Sequence, residues 1–155
     1  MANNAIILQG HGVRREAVAN AAITPGDLVE LMSTGKVRKH AGAAQNAAPM
    51  FAVEDDLQGN GITDDYAAAS TCQYNVMAPG DVVYARVNNG QNVAIGDFLE
   101  SAGNGALNKH VADTWASAGA GTVYGRAIVG IALEAVDMSD SSAADPTGRI
   151  KMLVI

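Results

Sequence analysis

Little in this chain can do covalent chemistry or hold an ion. One cysteine, Cys72, occurs in 155 residues, so neither a disulfide framework nor a cysteine metal site can form within one chain. The three histidines are His11, His40 and His110. None forms an H-x-x-x-H pair, and a histidine metal site ordinarily needs such spacing and a third ligand. The longest apolar run, Ala127 to Leu133, is too short for a bilayer, which takes about 20 residues. The opening MANNAIILQG lacks a basic start and a long apolar stretch, so no signal peptide is expected. The expected site of synthesis is the cytoplasm, with the protein kept there or in a particle assembled there.

Charge is also scarce. Charged residues make up 17% of the chain and hydrophobic ones 48%, where about a quarter charged is usual for a soluble protein. A surface partly covered by partners has this composition, and so does a plain Ala- and Gly-rich globule. The 10 basic residues face 16 acidic ones, a net charge of −6. The basic residues sit in short groups, Arg14-Arg15, Lys36 to Lys39, and Arg149 with Lys151, without interleaved aromatics. Phosphate binding needs clustered cations, so nucleic acid is not an expected partner. A membrane is not expected either.

Catalytic signatures are missing. Trp115 stands where a G-x-S-x-G elbow around Ser117 would need its first glycine. No G-x-x-x-x-G-K-[ST] phosphate loop occurs. The pairs Asp55-Asp56 and Asp64-Asp65 are adjacent, and neighbours on a strand point to opposite faces. Asp56, Gln58, Asn60, Gly61 and Asp64 fall at positions of a calcium loop. Its closing Glu is absent, because Ala67 stands there, so a turn-rich surface loop is expected. Asp137 to Gly148 reads as another exposed loop. No enzyme activity, metal or cofactor is expected.

What the chain has in quantity is turns. TPGD, STGK, QGNG, APGD, NNGQ, AIGD, AGNG and DPTG recur at the spacing of many short strands. Proline pre-sets φ at the second turn position, and the following glycine accepts a positive φ. Between turns, residues alternate. Cys72, Tyr74 and Val76 share one face, as do Val83, Ala85 and Val87, and Ile150, Met152 and Val154. These read as half-buried antiparallel strands, and Cys72 as core. The best helix candidate, Arg14 to Ala22, is short. At 155 residues one domain is expected, able to bury roughly 68–70% of its unfolded surface.

One motif is written twice. GDLVELMSTGKVRKHA starts at Gly26 and GDFLESAGNGALNKHV at Gly96. Glu30 and Glu100 follow their aspartates at the same distance, and Lys39-His40 matches Lys109-His110. Similar segments follow, around Val53 and Leu133. The pattern reads as a repeated hairpin within 26–56 and 96–137. A hairpin alone is marginal in water, and closure of several into a small barrel protects their edges. The matched histidines read as strand-end surface residues. Trp115, alone among small residues, reads as an anchor in the core or at a subunit interface.

Three segments together carry a resemblance. They are GHGVRREAVANAAITPGDLVEL, the stretch from Pro49 to Leu107, and the closing VGIALEAVDMSDSSAADPTGRIKMLVI. The chain resembles the capsid decoration, or cement, proteins of tailed bacteriophages. The resemblance implies an all-β fold, a small β-barrel or β-tulip like that of the lambda head-decoration protein. It implies an N-terminal arm over 1–22 and a single β-rich domain over 23–155. It implies a homotrimer on the outer surface of the expanded head, bound to the major capsid protein and bracing the lattice. The capsid-binding residues would be Asn3, Asn4, Ile6, Ile7, Leu8, Arg14 and Arg15, adding a strand to a capsid edge. Trp115 would lie at the subunit interface. Turn-rich β patterns also suit a tail-tube, head–tail joining or fibre component, a small trimeric all-β hydrolase, or a β-barrel binding module.

Overall fold

The computed structural model describes residues 3–112, 122–140 and 148–155. The fold is all-β. Its strands are β1 Ile7–Gln9, β2 Val13–Val18, β3 Val29–Leu31, β4 Val37–Lys39, β5 Met50–Ala52, β6 Thr71–Val76 and β7 Val82–Arg86. They continue with β8 Asn92–Val93, β9 Phe98–Ser101, β10 Leu107–Lys109, β11 Ile128–Ala132, β12 Val136–Asp137 and β13 Arg149–Val154. A short 3-10 turn covers Asp56–Gln58. The segment Arg14 to Ala22, the best helix candidate, begins instead as strand. Residues 13–18 pair with β6 from Val13↔Val76 to Val18↔Thr71, and this tertiary pairing outweighs the helix propensity of the segment's alanines.

Four sheets form, of which the largest runs β1-β7-β13-β11-β9-β10. A three-stranded sheet runs β2-β6-β5, and β3-β4 and β8-β12 are two-stranded. The expected closed barrel is not what forms. Among the described residues no ladder of strands closes on itself. In each half the ends approach through one isolated parallel bridge, Ala19↔Val37 and Val87↔Leu107.

Those two bridges belong to a wider correspondence. The β3–β4 hairpin pairs Val29↔Lys39, Glu30↔Arg38 and Leu31↔Val37. The β9–β10 hairpin pairs Leu99↔Lys109, Glu100↔Asn108 and Ser101↔Leu107. Leu28 bridges Phe51 as Phe98 pairs with Ile131. Strand β6 lies between β2 and β5 as β13 lies between β7 and β11. The matching therefore extends beyond the two hairpins, to the halves 13–77 and 81–155.

The Gly-Asp turn, which occurs in TPGD, APGD and AIGD, helps to hold each half together. In all three copies the aspartate caps its own turn, through Thr24 N to Asp27, Ala78 N to Asp81 and Ala94 N to Asp97, at 2.8, 2.9 and 2.8 Å. The glycine takes φ of 92°, 98° and 90° at Gly26, Gly80 and Gly96, which residues with a Cβ rarely adopt. Each turn then clips a strand. Gly26 N–H donates to Ala52 O while Ala52 N–H donates to Asp27 O. Gly80 with Val154 and Gly96 with Ala132 do the same.

Two apolar clusters fill the molecule. The smaller contains Ile23, Val29, Val37, Tyr66, Cys72 and Tyr74, all from the first half. The larger gathers the second half around Leu99, Leu107, Ile150 and Met152, and also takes in Ile6, Leu28, Phe51 and Val53. The first half thus inserts one face into the second.

Candidate functional site

Within the expected N-terminal arm, residues 7–9 and 13–18 pair with β7 and β6 of the body of the fold. Ile6 is fully buried, its N–H donates to Glu54 Oε2 at 3.1 Å, and its C=O accepts from Tyr84 N–H at 2.7 Å. Strand β1 pairs Ile7↔Val83 and Gln9↔Val82. Burial of apolar Ile6 in the larger cluster is what ties the segment down. Ile7, Leu8 and Asn3 are half-buried and Asn4 is exposed. Strand β1 is an outer edge of the six-stranded sheet and β2 an outer edge of the three-stranded one.

Arg14 and Arg15 are both exposed on β2. Arg14 Nη2 donates to Glu54 O at 3.4 Å, and Arg15 lies opposite Tyr74. A shallow depression of about 370 Å³ lies beside them, with Glu16, Leu57 and Gln73. Residues 3–9 and Arg14-Arg15 therefore lie on or beside two free sheet edges, one in each sheet. Trp115 lies outside the described residues.

The histidines are not a pair of surface residues. His40 is 3% exposed. Its Nδ1 lies 2.8 Å from Ser101 Oγ and its Nε2 3.1 Å from Asn46 O, with Glu30 at 3.8 Å. Serine, histidine and glutamate here have the composition of a triad, but Ser101 is 1% exposed and its Oγ accepts from Gly103 N–H. A buried hydroxyl reaches no substrate, so the group is structural. His110 Nδ1 sits 2.5 Å from Glu100 Oε2, on the wall of an open groove of about 760 Å³ lined also by Met77, Tyr124, Arg126 and Ile155. Among the described residues the groove lining holds no serine, threonine or cysteine beside that pair. Among the described residues no three His, Cys, Asp or Glu side chains converge as an ion would need. The loop at Asp56 closes on itself, with Gly61 N–H donating to Asp64 Oδ2.

Cys72 is core, as its alternation predicts, and burial pushes its thiol up to about 12. Charged side chains also meet at the seam between the halves. Asp27, fully buried, receives Arg86 Nη1 at 3.0 Å and Lys39 Nζ at 3.2 Å. Arg149 Nη1 donates to Pro25 O and Nη2 to Ile62 O, both at 2.6 Å. Burial, then the neighbouring Arg86, pulls the Arg149 guanidinium below its usual value. Sequence reading did not find this seam, since the repeated Gly-Asp motif marks Asp27 only as a turn residue and Arg86 carries no motif. The described surface offers strand edges and exposed apolar side chains, among them Val18, Leu31, Ile95, Phe98 and Leu133.

No family model matches the chain, and no curated protein matches it in sequence. Among the solved structures that share its fold is the N base of the head fiber gp8.5 in bacteriophage phi29. The TM-score is 0.55 at 13% identity, over 94% of this chain and 95% of that one. Two chains with so few identities share an all-β architecture along nearly their whole lengths, and the fold is what the likeness shows.

Proposed function

We propose that this protein is a structural component of a tailed-phage head, bound to the outside of the expanded capsid and stabilising its lattice. The observation that carries the reading is the end-to-end fold likeness to the base of a phage head fiber. Its partners are the major capsid protein and further copies of itself, as a homotrimer at three-fold positions. The free edges of β1 and β2 are the docking elements, with Asn3, Asn4, Ile7, Leu8, Arg14 and Arg15 setting register by main-chain pairing and charge. Ile6 holds β1 in place from inside. Weak individual contacts from several copies would add by avidity, which can raise affinity by about 10²–10⁴.

The same likeness favours one other role, the capsid-proximal base of a fibre. Co-sedimentation with heads taken before and after expansion tests both. Saturation at hundreds of copies on expanded heads alone is the expected result. Saturation at a few copies per head would favour the fibre base, and no binding to either form would sink both readings.

A further inference from the structure

The two halves of the chain are unequally covered, and the difference falls on matching positions. In the first half, Pro25, Gly26, Asp27, Leu28 and Val53 are buried. Leu28 N–H donates to Gly105 O at 2.7 Å, and Arg86 N–H to Gly26 O at 3.0 Å, so this face lies against the second half. The matching face of the second half is bare. Leu28 is 0% exposed and Val53 4%, whereas their counterparts Phe98 and Leu133 are 45% and 41% exposed, and Ile95, the counterpart of Pro25, is 70% exposed. A Cβ on Gly26 would strike Arg149 Nη1 and lie 3.1 Å from Tyr84 O, but one on Gly96 would meet nothing within 4 Å.

The receiving side shows the reverse. A Cβ on Gly105 would lie 3.0 Å from Asp27, but one on its counterpart Gly35 would meet nothing. Ser101 is 1% exposed, whereas Leu31 in the matching position is 54% exposed. Half-buried Arg86 corresponds to Val18, 41% exposed. Thus the first half keeps an uncovered receiving face and the second half an uncovered inserting face. Both carry large apolar side chains, where the seam inside the chain carries an ion pair.

We infer that copies of this chain associate head to tail. The face of Ile95, Phe98 and Leu133 of one copy seats on Val18, Leu31 and Gly35 of the next, repeating between copies the contact that joins the halves within one. The occupant is a second copy because the chain's own seam supplies both complementary shapes. Main-chain bonds from Phe98 N–H to Gly35 O and from Val18 N–H to Gly96 O would reproduce those of Leu28 and Arg86. Such a contact uses different patches on the two partners, and it closes into a ring when the rotation between copies divides a full turn. The inference gives a surface to the self-association within the proposed function but does not depend on head binding. A protein that binds no heads yet assembles this way would sink that reading and leave this one standing.

The test is sedimentation velocity of the full chain at micromolar concentrations, with Phe98→Asp and Leu31→Asp, one variant on each face. Both side chains are exposed in the single chain, so the variants should keep its fold, which a thermal scan of each checks. The expected result is a discrete oligomer for the parent chain and monomers for each variant alone. Mixing the two variants leaves one intact pair of faces and should yield a one-to-one dimer. A parent chain that stays monomeric, an oligomer that survives both substitutions, or a mixture that stays monomeric would each overturn the head-to-tail contact.

Discussion

Asp27 and Arg86 meet at 3.0 Å across the seam between the halves, and no solvent reaches the carboxylate. Lys39 and the Thr24 N–H complete its shell. Its counterpart Asp97 keeps the matching partners, Lys109 and Ala94 N–H, but lies at the surface. The hydrogen bond from Lys109 holds the Asp97 carboxyl below the usual carboxylate range. Removing one partner of a buried pair leaves an uncompensated charge, at a cost of about 3–5 kcal/mol. Asp27→Ala should therefore lower the urea midpoint strongly, while Asp97→Ala should barely move it. Equal effects would mean that the seam does not depend on its charge pair.

Gly26 and Gly80 occupy the same turn with nearly the same φ, yet only Gly26 is packed against other groups. A Cβ in the left-handed region costs roughly 1–2 kcal/mol. Gly80→Ala should show about that loss in chemical unfolding. Gly26→Ala should lose clearly more, because Arg149 and Tyr84 would have to move. Similar losses would place the seam further from the turn than described.

Ile6 tests whether the N-terminal segment belongs to the fold. Truncating a buried isoleucine to alanine costs about 2–5 kcal/mol, so Ile6→Ala should lower the thermal midpoint of the isolated protein, with no head present. Arg14→Ala and Arg15→Ala, at exposed positions, should leave that midpoint nearly unchanged. An Ile6→Ala protein as stable as its parent would mean that the segment adds nothing to the stability of the fold.

Cys72 and Tyr66 titrate late, both near 12, through burial first. For each, the neutral form is favoured in the fold, and the unfolded chain loses its proton earlier, from about 9 for the thiol and 10 for the phenol. Above those values the unfolded state binds fewer protons, so stability falls as pH rises toward 12. Below about 9 these two groups contribute no pH dependence. Unfolding midpoints from pH 7 to 11 should decline only in the upper part of that range, and Cys72→Ala should make the decline shallower. In the native state at pH 8 the thiol should resist iodoacetamide and should react once urea unfolds the chain.

Much of the fold was legible because strands, turns and alternation are local. The three Gly-Asp turns, the hairpins at Gly26 and Gly96, and the burial of Cys72 and Tyr74 on one face of β6 each follow from a few neighbouring residues. The status of residues 6–18 was not legible. NNAIILQG and VRREAV lack the turn signals and clean alternation that mark the other strands. They became strands only because β7 and β6 offered open edges to them. His40 was misjudged for the same reason, since what buries it is Ser101 and Asn46, far off in the chain or across a loop.

The sequence by itself determined an all-β chain whose turns repeat, because positive-φ glycines and capping aspartates act within four residues. Only the tertiary structure decided which copy of a repeated face is covered. Leu28 and Phe98 stand in equivalent places after equivalent turns, yet one is sealed and the other is 45% exposed. Burial depends on what lies across the seam, and a chain of two matching halves has only one such seam to fill.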